Sequence, residues 1–364
     1  MEEEIAISTN EEELETEISP AIDGIAQLIE ALNNFTTLES KIDFLNQYME
    51  SEDIDFTDIS DIIFETLSEA TYEVDSNEGA IDSSSVGKFA SWLVSVDPEA
   101  AAIYVDEILS EHSELTEELT AEISLNLSEM ENIDLEDSAE FASEMASINM
   151  ESAGLIAAGV TQLIGSQSLQ FINAVSSSMD NNMSQSMAKI IIEEMSNVSQ
   201  IINELSQERY NEEIEFQSEL IKKKFSNDEL LIRMDDPNWQ VYNQELMSLY
   251  ENNLLIKPSI DAGSMLDMVG ALVGDENLNE DIISGLGQAM GKMMNYGYMQ
   301  PDLSALDNNS FDEDKIASLV DTTIETVDVN MVAQYMDPEF MLELETDQIF
   351  QESINSKNQL LFGT

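Results

Sequence analysis

The prolines constrain this chain more than any other feature. There are six, and every one of them can stand at a helix start. Three follow Asp: Asp97-Pro98, Asp236-Pro237 and Asp337-Pro338. An Asp side chain at the N-cap accepts a hydrogen bond from an otherwise unpaired backbone N–H. Pro in the first helical position has no N–H to leave unpaired. Ser19-Pro20 offers the same arrangement with Ser as the cap, and Pro258 and Pro301 precede apolar residues at helical spacing. Between these starts the apolar period is helical: Ile22, Ile25, Leu28, Ile29 and Leu32 share one face. Sustained period-two alternation is scarce. The predicted fold is all-α: irregular stacked helical hairpins, superhelical or bundle-like, behind a frayed acidic N-terminal tail.

One internal repeat supports stacking. Phe89-Ala90-Ser91-Trp92-Leu93-Val94-Ser95-Val96-Asp97-Pro98-Glu99-Ala100-Ala101 aligns with Phe141-Ala142-Ser143-Glu144-Met145-Ala146-Ser147-Ile148-Asn149-Met150-Glu151-Ser152-Ala153, with six of thirteen positions identical and a spacing of 52 residues. Each copy reads as a helix end, a tight turn, an Asp or Asn cap and a second helix. The spacing suits about four short helices per unit or two long ones. Val96-Asp97-Pro98-Glu99-Ala100-Ala101, followed by Ile103 and Ile108-Leu109, resembles the short helical repeats in the cytoplasmic N-terminal domain of magnesium channels. It is similar also to repeats of the flagellar motor switch protein. The resemblance covers residues 88 to 156. It implies a superhelical interaction module and no channel activity.

Charge narrows the function. The chain carries 76 Asp plus Glu against 12 Lys plus Arg, a formal net charge of −64. Its 43% hydrophobic content is enough for a core. Like charges at this density oppose compaction, so salt, divalent cations or a basic partner must screen them. Nucleic acid is not an expected partner, because phosphate contacts need clustered Lys and Arg. The one concentration of base, Arg209, Lys222, Lys223, Lys224 and Arg233, lies among Glu208, Glu212, Glu213 and Glu215 and reads as a locally neutralised helix surface. No apolar run approaches a membrane span; the longest candidate, around Ala153 to Val160, is too short. The acidic start, Met1-Glu2-Glu3-Glu4, is unlike a signal peptide. The expected setting is the cytoplasm, an assembly, or export without an N-terminal signal.

Composition shifts suggest boundaries: an acidic tail at 1–18, a helical-repeat region at 19–205, less acidic linking helices at 206–257, and a Gly/Met-rich helical region at 258–364. In the last, Met265, Met268, Met290, Met293 and Met294 alternate with glycines. Such a segment forms either a close-packed helical hairpin or an adaptable apolar contact surface.

Residues that carry chemistry are few. There is no Cys, which excludes disulfides, thiolate catalysis and Cys-based zinc sites. His112 is the only histidine, so a di-iron bundle with two Glu-x-x-His motifs is excluded. No phosphate loop, dinucleotide-binding loop or nucleophile elbow occurs. No cofactor is required, and calcium is the one candidate. Asp275, Asn277, Asn279 and Asp281 resemble the start of an EF-hand loop, with Glu280 where Gly is needed and Leu286 where the bidentate Glu belongs. Further acidic clusters lie at Asp53 to Asp61, Asp75 to Gly79 and Asp307 to Asp314. The expected function is a non-enzymatic structural or scaffolding role, through self-assembly as a homo-oligomer or through binding a basic protein. The alternatives are a secreted or surface protein with calcium-dependent folding, and a virion assembly component.

Overall fold

The computed structural model describes residues 25–35, 38–52, 81–129, 135–225, 257–274, 277–300 and 311–332, with isolated positions 63, 241, 242, 244, 247, 303, 306 and 334. The chain is all-α: no strand occurs among the described residues. It divides into two units, Met1–Ile81 and Asp82–Thr364. The acidic tail, the prolines 20, 237, 301 and 338, and the acidic clusters at 53–61, 75–79 and 307–309 lie outside the described residues.

The first unit contains α1 (Ile25–Asn33) and α2 (Leu38–Glu52). Leu28 and Leu32, from the apolar face of α1, are buried, as are Leu38, Phe44, Leu45 and Tyr48 of α2. Phe35, Phe44 and Tyr48 form an aromatic chain with successive ring centroids 5.2 and 6.1 Å apart.

The second unit opens with α3 (Ser83–Val94), α4 (Pro98–Glu111) and α5 (Thr116–Glu129). It continues with α6 (Leu135–Ile148), α7 (Met150–Leu163) and α8 (Ser168–Ser177). The starts Ser83, Pro98 and Thr116 recur 52 residues later as Leu135, Met150 and Ser168. A 3₁₀ turn, Ser113–Leu115, likewise recurs as Gly165–Gln167. The repeating unit is therefore three helices, where the spacing alone suggested four or two. The two copies of the cap do the same work: Asp97 Oδ1 accepts from the Ala100 N–H at 3.0 Å, and Asn149 Oδ1 from the Ser152 N–H at 3.2 Å. Pro98 stands at the first turn of α4, as its sequence context implies.

After α8 comes α9 (Asn181–Phe225), a 45-residue helix about 67 Å long at 1.5 Å per residue. Then follow α10 (Ala262–Val273), α11 (Glu280–Asn295), α12 (Glu313–Thr326) and the short α13 (Val329–Val332). From α3 to α10 each helix packs chiefly on the one two places along, whereas α11 packs chiefly on its neighbour α12. One row is α3, α5, α7, α9 and α11, closed by α12 on α11; the other is α4, α6, α8 and α10. The result is a two-layer stack.

The centre of the stack is α7, where every residue from Ser152 to Gln162 is buried. This helix holds the apolar run at 153–160, which is core; no helix among the described residues is long and apolar enough to cross a membrane. Its glycines permit close approach. A Cβ on Gly154 would meet Ile190 Cγ2 of α9 at 2.5 Å, and one on Gly159 would run into the Ser124 side chain of α5. Hydroxyls and an amide tie the row together: Ser91 Oγ donates to the Ile123 carbonyl at 3.4 Å, Ser124 Oγ to that of Ile156 at 3.3 Å, and Gln162 Nε2 to that of Met195 at 3.4 Å.

Two expectations require correction. The boundary expected at 205–206 falls inside α9, a single unbroken helix whose first half packs on α7, α10 and α11; the chain divides instead between Ile81 and Asp82. The change in composition there tracks burial. Met187, Ala188, Ile191, Ile192, Met195, Val198 and Ile202 of α9 are buried, whereas from 203 to 223 only Ser206 and Ile214 are. In addition, Met265, Met268, Met290, Met293 and Met294 are all buried. They fill the core between α10, α11 and their neighbours rather than presenting a contact surface, and Met293 and Met294 sit on the α11 turns that Gly287 and Gly291 hold against α12.

Candidate functional site

Among the described residues, a chemically mixed surface lies where the second half of α9 meets α5 and α3. A groove of about 540 Å³ opens there, lined by Ser84 and Lys88 of α3, Asn126 and Glu129 of α5, and Ser206, Arg209, Tyr210, Glu212, Glu213 and Phe216 of α9. Its wall is built by one ion-pair cluster. Arg209 reaches across to α5, where Nη2 bonds Glu122 Oε2 and Nη1 donates to Glu129 Oε2 at 3.1 Å. Arg209 is thus neutralised by partners some eighty residues away, not by the Glu residues beside it in sequence. By contrast Lys222 is neutralised locally: its Nζ lies 2.6 Å from Glu219 Oε1 at the exposed surface, a pair of little energetic weight.

Glu122 is 4% exposed. Its carboxyl is raised above the usual range because removal from water outweighs the Arg209 charge and hydrogen bond; Glu118 and Asp82 add to the rise. Two features force this burial. A Cβ on Gly87 of α3 would sit 2.9 Å from the Glu122 Cβ, so α3 lies directly over Glu122. Arg209 covers the other side.

Ser206 is 5% exposed, and its Oγ has no hydrogen-bond partner. Mid-helix Ser often bonds back one turn; this hydroxyl does not, and the residue lines the floor of the groove. Glu212 and Phe216 form the outer lip, with Phe216 59% exposed.

The sequence-derived calcium residues are placed otherwise. Asn279 is the N-cap of α11, and its Oδ1 accepts from the Ile282 N–H at 3.0 Å. Asn277 Nδ2 donates to the Val273 carbonyl at 2.6 Å, closing the end of α10. Asp281 is exposed in the first turn of α11, where an acid suits the helix dipole. Asp275 lies outside the described residues. Thus the two Asn side chains finish helices rather than converge on an ion. Among the described residues no group of three or more His, Asp or Glu is arranged to hold a metal. His112 ends α4, with Nδ1 3.4 Å from Glu114 Oε1. Glu114 is lowered by a backbone hydrogen bond and then by His112.

Sequence reasoning missed Glu122, Glu129 and Ser206. The one available signal was Glu122 itself, an acid within the otherwise uncharged run Leu119 to Leu127. No protein-family model, curated protein or solved structure matches this chain.

Proposed function

We propose that this chain is a non-enzymatic scaffolding protein whose stacked helices dock a basic protein partner. The observation that carries the reading is the outer ridge of α9. Glu204, Glu208, Glu212, Glu215 and Glu219 are all exposed and follow one another at intervals of three or four residues. The four like-charged neighbouring pairs on one helix cost roughly 1–2 kcal/mol together; Lys222 pairs with Glu219 and attracts Glu215, whereas Glu208 and Glu212 have no ion pair among the described residues. A basic partner would relieve the repulsion. Self-assembly is the weaker form of the scaffold, because two copies at −64 each repel. The resemblance to helical interaction repeats belongs to the same reading: a two-layer stack offers long outer ridges, and α9 prolongs one of them.

The test is sedimentation velocity at physiological ionic strength, for the chain alone and with a poly-lysine peptide as probe. A discrete complex with saturable stoichiometry supports partner docking. A self-associated chain that ignores the peptide sinks it in favour of homo-oligomeric assembly.

A further inference from the structure

We infer that the α3–α5–α9 groove is the anchor point for two arginine or lysine side chains of one basic protein segment; this rests on the partner-docking function above and names its site. The charge sum decides the sign of the occupant. Lys88 and Arg209 are the cations at the groove, but Glu129 and, beneath the surface, Glu122 already engage Arg209, and Glu212 and Glu213 follow it one turn on along α9. Two positive groups against four carboxylates leave the groove negative, so it repels anions although it holds two of the chain's 12 basic residues.

The groups left open at the groove fit a cationic donor. Ser206 Oγ is buried and unpartnered at its base, a second observation independent of the acidic lip. The Asn126 amide uses its nitrogen on the Glu122 carbonyl at 2.8 Å, which leaves its oxygen to accept. Glu212 has no hydrogen bond or ion pair among the described residues. The Phe216 ring stands exposed at the lip, where a guanidinium stacks well. Ser206 and Phe216 stand about 15 Å apart along α9, so two basic side chains of one segment share these groups: one beside Glu212 and the Phe216 ring, the next at the Ser206 hydroxyl and the Asn126 oxygen. Glu212 also belongs to the outer α9 ridge, so a bound segment continues from the groove onto that ridge.

The experiment measures binding of a fluorescent tetra-arginine peptide by anisotropy, at fixed physiological ionic strength. Glu212→Gln should weaken binding about tenfold through a lost charge-assisted hydrogen bond, and Phe216→Ala about threefold. Ser206→Ala should weaken binding while leaving Tm unchanged or raised, because the hydroxyl has no partner to lose. Glu140→Gln, an equal charge change on the exposed face of α6, should leave binding unaltered. Equal losses in Glu212→Gln and Glu140→Gln would overturn the groove and keep the docking function, because attraction would then be diffuse. No binding by the native chain would overturn both. Competition by spermidine at the peptide's own concentration would overturn a protein segment as the occupant.

Discussion

Replacing Arg209 with Met tests the buried cluster most sharply. Glu122 is held at 4% exposure by α3 and by Arg209 itself. Without the guanidinium the carboxylate must stay charged and unpaired, or take up a proton. Breaking a buried pair from one side costs about 3–5 kcal/mol. Protonation caps the loss. For a carboxyl of ordinary value 4.5, protonation at pH 7 costs at most about 3.4 kcal/mol, at 1.36 kcal/mol per pH unit. At pH 5 the same route costs about 0.7 kcal/mol. The variant should therefore lose about 3 kcal/mol at pH 7 and under about 1 kcal/mol at pH 5. In Tm, measured against the native chain at each pH, that is roughly 6–12 °C and 2–4 °C.

The sign of the native pH dependence follows from the same group. Its folded value is raised, so the folded state binds the proton more tightly than the unfolded state. Its favourable contribution is full below the ordinary value and is lost as pH rises through the raised one. Glu122→Gln removes that dependence, and in the Arg209→Met background it should restore most of the lost stability. An Arg209→Met penalty equal at pH 5 and pH 7, or unrelieved by Glu122→Gln, would refute the reasoning.

Three further perturbations probe the stack. Gly159→Ala drives a methyl into Ser124; it should destabilise by about 1–3 kcal/mol although Ala favours helix, and chemical denaturation reads the loss. Asp97→Ala and Asn149→Ala each remove a cap and should each cost about 0.5–2 kcal/mol by the same measurement; a neutral result at one site alone would break the equivalence of the two junctions. Converting Glu204, Glu208 and Glu215 to Gln should raise Tm in low salt, by roughly 1 kcal/mol of relieved repulsion, and the gain should fade as sodium chloride is added. A gain that persists in high salt would place its origin outside charge.

Much of the fold was legible locally. Asp97 and Asn149 announce their caps, and the Pro98 position follows from its missing N–H. Two features were not legible, each for a physical reason. Asn277 and Asn279 belong to a sequence that serves equally for ligating calcium and for finishing helices, because a short amide side chain offers its oxygen to a cation or to a backbone N–H, and its nitrogen to a backbone carbonyl; only the contacts to Val273 and Ile282 decide. The pairing of Arg209 with Glu122 spans 87 residues, and nearer acids in the sequence offered a simpler neutralisation.

The faintness of the repeat has its own cause. Each unit holds three helices, an odd number, and the helices alternate between two rows. Consecutive copies therefore land in opposite rows: α3 belongs with α5 and α7, while its counterpart α6 belongs with α4 and α8. Equivalent positions then meet different surroundings. Ile103 is 47% exposed, whereas Leu155, 52 residues on, is buried in the central helix. Glu107 faces solvent, but at Gly159 no side chain fits. Trp92 is buried, and its counterpart Glu144 lines the α6–α8 surface. Selection on packing separates such pairs. What both copies must keep is the helix end and the cap, where geometry is local and indifferent to the row. Identity accordingly persists at Phe89/Phe141, Ala90/Ala142, Ser91/Ser143 and Glu99/Glu151 around the two caps. A chain grafted with residues 135–177 in place of 83–125 would put α7-type glycines on α4, and the stack should fail to form, even though every helix start would remain in register.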